Sequence, residues 1–140
     1  MRIETVRLDV FTLDGVSVHD ISEDLRVFVA GTGIRLGLCL LALSDPACAL
    51  TITDDLEDTY DDLIRMGRNR LGEAAREPSQ EGDDRLDEIP DPTFLTAIVC
   101  EALTLPVRDG QLASGAWESI VMIDPGGPAE RHIDVTVVGE

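Results

Sequence analysis

Hydrophobic and polar positions fall into short alternating runs through most of the chain, with helical spacing in a few places. Between Arg2 and Leu13, Val6, Leu8 and Val10 share one face of a strand that Asp14-Gly15 ends. Val16–Val18 is a short second strand. Ile21, Leu25, Phe28 and Val29 fall on one helical face, behind a start signal in which Asp20 caps and Glu23 follows three residues on. Gly31 or Gly33 ends that helix. Leu36–Leu43 is continuously apolar and predicts a central strand buried on both faces. Ser44-Asp45-Pro46-Ala47 is a turn, and Cys48–Thr53 resumes as a strand. Leu56, Tyr60, Leu63 and Ile64 mark a second helix, reaching to about Gly67. The acids in its first turns suit the positive end of a helix dipole. Gly72–Pro92 is polar and acidic and predicts a long surface loop. Phe94–Glu101 is a short third helix.

The last third predicts consecutive antiparallel strands. Leu103–Val107, Trp117–Ile123 and Ile133–Val138 are the apolar runs. Asp109-Gly110 and the run Asp124-Pro125-Gly126-Gly127-Pro128 punctuate them with turn chemistry. In the final strand Ile133, Val135 and Val137 form one apolar face. The expected architecture is α+β, one domain over 1–140, a mixed or antiparallel sheet core with about three helices. Its order is β-β-α-β-β-(loop)-α-β-β-β.

This last block also resembles the signature of the YjbQ family. LTLPV-RDG-QLASGAWESI, followed by GGPAERHIDVTVVGE, keeps the family's order and spacing at Pro106, Gly110, Leu112, Gly115, Trp117, Ile120, Pro128, Thr136, Gly139 and Glu140. VSVHDISEDLRVFVAGTGIRLGLCLLALSDPACALTITDDLED is similar to the family's earlier half. Members are described as secondary thiamine-phosphate synthases, which join a pyrimidine pyrophosphate to a thiazole phosphate, and many have no known function. The resemblance implies a homotrimer, with a small-molecule ligand at a cleft between subunits.

Carried over residue by residue, the resemblance puts Asp45 where the family has the histidine of its P-H-T-T motif. Thr51 and Ile52 match directly, Asp54 stands for a glutamate, Asp62 matches an aspartate, and Glu81-Gly82 matches a loop Glu-Gly. Thr93 falls where the last family histidine would be. Glu118 follows Trp117 where the family has glutamine. A histidine usually precedes that loop Glu-Gly in the family, where this sequence has Arg76-Glu77-Pro78-Ser79-Gln80, so all three family histidines are absent. Three imidazoles can hold a divalent metal, bind a phosphate or transfer protons near neutral pH. An aspartate and a threonine do not replace that chemistry without a large pKa shift. The candidate catalytic positions are thus Asp45, Asp54, Thr93 and Glu118, and the candidate ligand contacts are Thr51, Gly115 and Trp117. The sequence specifies no metal ligands and no cofactor. A divalent metal is one of the uses that the family's three histidines allow, and here Asp45 could bind a hard cation through oxygen.

Other candidates are weaker. His19 and His132 are the two histidines and align with none of the family's three. Ser114 has no histidine near it in sequence. Asp54, Asp55 and Asp58 lack an EF-hand's glycine and closing glutamate. Arg35, Arg68, Arg70, Arg108 and Arg131 form no cluster in sequence, and no phosphate-cradling glycine-rich loop is present.

Composition narrows the partners. The net charge is −17 over 140 residues, and every basic side chain other than histidine is arginine. Clustered cations for nucleic acid or an anionic membrane are missing. No apolar run approaches membrane-spanning length, and MRIETVRLDV has no signal-peptide core, so the expected compartment is the cytoplasm. Cys39, Cys48 and Cys100 form no CxxC pair and are read as buried free thiols.

Overall fold

The computed structural model describes residues 1–54, 61, 101–115 and 118–140. Its elements are β1 (Arg2–Phe11), β2 (Gly15–Asp20), α1 (Ser22–Thr32), β3 (Leu36–Leu43), β4 (Ala49–Thr53), β5 (Ala102–Arg108), β6 (Gln111–Leu112), β7 (Ser119–Gly127) and β8 (Glu130–Gly139). They form a five-stranded sheet in the order β1-β8-β3-β5-β6 and a three-stranded sheet in the order β2-β7-β4. Every strand pair among the described residues is antiparallel.

This corrects the expectation of about three helices around a mixed or antiparallel sheet core. The structure is mostly antiparallel β-sheet, and α1 is the one full helix among the described residues. The expected helices at 56–67 and 94–101 fall almost wholly outside the described residues. Glu101, the last residue of the second of these, is a bend that leads straight into β5. No helix among the described residues is long and apolar enough to cross a membrane.

Helix α1 buries the expected face through Ile21, Leu25 and Val29, with Phe28 packed at its edge, and it ends at Gly33. Its start differs from the expected capping box. Asp20 accepts the Ser22 amide (2.9 Å), while no side chain caps the helix. The Ser22 hydroxyl instead accepts the Ile120 amide (2.8 Å) and ties the helix to β7.

Two further corrections concern strands. β3 is central in its sheet but buried on one face. Cys39 and Leu41 point into the core, while Leu36, Leu38 and Leu40 are 68%, 48% and 39% exposed. The strand buried on both faces is β7, where Ile120, Val121, Met122, Ile123 and Asp124 are all fully buried. Both are continuous apolar runs, so periodicity alone cannot rank them. The last third is also not a set of successive hairpins. Asp109 (φ 52°) and Gly110 (φ 78°) do make the tight turn joining β5 to β6. The chain then crosses to the other sheet for β7 and returns for β8. Asp124-Pro125-Gly126-Gly127 is strand rather than turn. Ser17 pairs Asp124 and Gly15 pairs Gly127, three steps on β7 against two on β2. That irregularity accommodates Pro125, which cannot donate to a ladder.

The core joins the inner face of the large sheet (Cys39, Leu41, Leu105, Val107, Ile133, Val135, Val137) to Leu50, Ile120 and Met122 of the small one and to α1.

Candidate functional site

Inward alternation on β8 places Arg131 on the same side as Ile133, Val135 and Val137. A guanidinium there must find anionic partners, because an unpaired charge inside protein is very costly. It finds two. Its Nε and Nη2 donate to the two carboxylate oxygens of Asp124 on β7, at 2.9 and 3.4 Å, a bidentate fork. Its Nη1 donates to Asp45 in the β3–β4 turn. The Thr12 hydroxyl, just past β1, donates to Asp124 at 2.7 Å and accepts the Ala129 amide at 3.0 Å. The Gly126 amide donates to Asp124 at 2.9 Å. Asp45 also accepts the Ala47 amide (2.9 Å), which closes its own turn.

The electrostatics follow from this packing. Burial pushes the Asp124 carboxyl up, but the hydrogen bonds from Arg131, Thr12 and Gly126 outweigh it and hold it below the ordinary value. Arg131 is held charged, first by its hydrogen bond to Asp124. Cys48 lies against the same group. Burial foremost, and then the Asp124 charge, push its thiol up to about 12. It is therefore a protonated thiol and no nucleophile. One guanidinium between two carboxylates leaves the group net negative.

The other expected positions lie elsewhere. Asp45 precedes β4 and Asp54 follows it. Five residues at roughly 3.3 Å each separate the two ends of the strand. Thr53 pairs Ser119, so Asp54 and Glu118 share the end far from Asp45. Thr51 sits mid-strand opposite Val121, half-buried. The Glu118 carboxylate accepts the Gly115 amide at 3.0 Å, and a Cβ at Gly115 would come within 3.3 Å of it. Gly115 and Ser114 line an open cavity of about 450 Å³ with Arg26, Ala30, Gln111 and Leu112. Thr93, Trp117, Asp62, Glu81-Gly82, Asp55, Asp58, Arg68, Arg70 and Cys100 lie outside the described residues.

Arg35 and Arg108 lie at the end of β3 remote from Asp45. His19 hydrogen-bonds Ser17 (2.7 Å). Burial pushes its pKa down, and the Asp124 charge offsets part of that. His132 faces the opposite side of β8 from Arg131 and hydrogen-bonds Asp9 (2.7 Å).

Asp124 and Thr12 are not among the residues expected from sequence, and Arg131 figures there only as one of several scattered arginines. Asp124 is hidden by its turn-like neighbours. Arg131 does leave a signal: carrying the Ile133/Val135/Val137 alternation one step back puts an arginine on the buried face.

The profile of the family described as UPF0047 protein YjbQ-like matches residues 7–140 of the chain. A UPF0047 protein of Methanothermobacter thermautotrophicus is 24% identical over 140 residues, covering 100% of this chain and 95% of that protein. One from Archaeoglobus fulgidus is 25% identical over 132 residues, covering 93% and 98%. Among solved structures, a YbjQ-like protein of unknown function from Sulfolobus solfataricus superimposes with a TM-score of 0.79 at 23% identity, covering 99% of each chain. A conserved hypothetical protein from Thermus thermophilus gives 0.67 at 24% identity, covering 95% of this chain and 99% of that one. At these identities the structural likeness speaks to the fold.

Proposed function

The chain belongs to the UPF0047 family of YjbQ-like proteins, and from that membership we propose that it keeps the family scaffold without the histidine-dependent activity. In this reading it is a self-associating protein that binds a small ligand. One observation carries the reading: Asp45, which stands in place of the first family histidine, is ion-paired with Arg131, itself forked onto Asp124. A carboxylate occupied by that ion pair does not stand in for an imidazole as a proton carrier. The guanidinium is already saturated with carboxylates and has no fork to offer a pyrophosphate. The net negative group would repel one.

Ligand binding is supported by the cavity beside Gly115, where Arg26, Gln111 and Ser114 offer polar groups around Leu112. Self-association, as the homotrimer that the resemblance implies, is supported by the bare outer face of the large sheet. There Ile3, Leu36, Leu38 and Leu40 are exposed together. Covering a leucine contributes about 1.5–3 kcal/mol.

The competing readings are an active thiamine-phosphate synthase and a structural or partner-binding subunit. The test is thiamine-phosphate formation by the purified protein from a pyrimidine pyrophosphate and a thiazole phosphate. No product is expected from the wild type, and Asp45→His with Thr93→His is the variant in which activity would reappear. Robust wild-type turnover overturns the proposal.

A further inference from the structure

We propose that Asp9, Glu130 and His132 form a binding site for a divalent transition-metal ion of the zinc class on the outer face of the five-stranded sheet. The β1–β8 ladder makes the arrangement. Asp9 and His132 are direct cross-strand partners, and Glu130 lies two residues before His132 on the same face. One ligand atom from each side chain lies within 4.8 Å of the other two. The tightest pair, His132 Nδ1 and Asp9 Oδ1, is at 2.7 Å. Ligand atoms at about 2.0–2.2 Å from a zinc ion stand roughly 3 to 3.6 Å apart. The exposed Asp9 and Glu130 side chains and the half-buried His132 ring need only small torsional changes to reach that spacing.

The chemistry of the donor set fits. One imidazole and two carboxylates suit a borderline ion such as zinc, whereas calcium and magnesium prefer an all-oxygen shell. Three protein ligands leave a position for water or an exogenous ligand. The charge also fits, since two carboxylates match a divalent cation. The nearby guanidiniums are committed elsewhere: Arg7 to Asp134 at 3.0 Å, and Arg131 to the inner face. Access is open, because the Asp9 and His132 side chains are 52% and 35% exposed. A paired two-strand ladder holds such ligands more firmly than a loop does. Cys39 and Cys48 do not compete, since both are buried thiols pushed up to about 11 and about 12. The site lies on the opposite side of β8 from the Arg131 group, and it shares the outer face with Ile3, Leu38 and Leu40 but sits toward the other end of the β1–β8 ladder from Ile3 and Leu38.

The test is calorimetric titration of the purified full chain with zinc chloride, and separately with calcium chloride. The expected result is one zinc ion per chain, not displaced by an equal concentration of calcium. His132→Gln, Asp9→Asn and Glu130→Gln should each weaken binding by about 10- to 100-fold. His19→Gln and Cys100→Ser should leave it unchanged. Circular dichroism checks that each variant keeps the wild-type fold, and the three ligand positions are separate enough that one failed variant leaves two others to decide. No zinc binding by the wild type overturns the proposal. So does binding unaltered in the three ligand variants, binding lost in Cys100→Ser, or calcium binding as tightly, which would mark a diffuse acidic surface.

Discussion

At the scale of single residues, Asp124 is the group on which most else at the candidate site depends. It is fully buried, yet it accepts from Arg131, Thr12 and Gly126, so its charge is met on several sides. Removing the charge leaves the guanidinium of Arg131 with Asp45 as its one carboxylate partner among the described residues. Breaking one partner of a buried pair costs about 3–5 kcal/mol, and with Asp45 still in place Asp124→Asn should lose stability up to that order in urea unfolding at neutral pH. The pH dependence has a definite sign. The folded carboxyl lies below its ordinary value of 3.8. Its stabilisation is therefore fully present above that value and is lost as pH falls from there through the lower folded value. Asp124→Asn should flatten the acid limb of the stability–pH curve. If wild type and variant lose stability in parallel below about pH 4, Asp124 is not the titrating group.

At the scale of elements, the close contact of β3 with β8 fixes how the large sheet is built. Gly37 pairs Gly139, and a Cβ on Gly37 would fall 1.9 Å from the Val138 carbonyl oxygen. That obstacle is backbone and cannot rotate away. Gly37→Ala should therefore destabilise the protein by about 1–3 kcal/mol, measured as a shift in denaturant midpoint with unchanged m-value. A neutral substitution would mean the two strands can part. The same element shows where sequence reading works and where it stops. The strand Leu36–Leu43 is legible to the residue, because an unbroken apolar run bounded by turn residues has few alternatives. Which of its faces meets the core is not legible, because leucines stand on both.

At the scale of the whole molecule, the outer face of the large sheet is where the proposed self-association is tested. Leu38 stands beside Val138 on one neighbour and Pro106 on the other, and Ile3 extends the row to the edge strand. A chain carrying −17 charges repels its own copies, so association needs an apolar surface of this kind to offset the repulsion. Leu38→Asp should convert the proposed trimer to monomer in light scattering coupled to size-exclusion chromatography, with the monomer still folded. A trimer surviving that change would place the contact elsewhere.

Much of the protein is settled by its one-dimensional order. The family, the places of β1, β3, β4 and β5, the apolar face of α1 and the Asp109-Gly110 turn are all local, since each depends on spacing or residue type within a short stretch. The division of β7 and β8 between two sheets, the bare face of β3 and the meeting of Asp124, Arg131, Thr12 and Asp45 belong to the tertiary structure. Thr12 and Asp124 alone stand 112 positions apart, and a charge on a strand reveals its partner only when the packing of a second sheet brings that partner within reach.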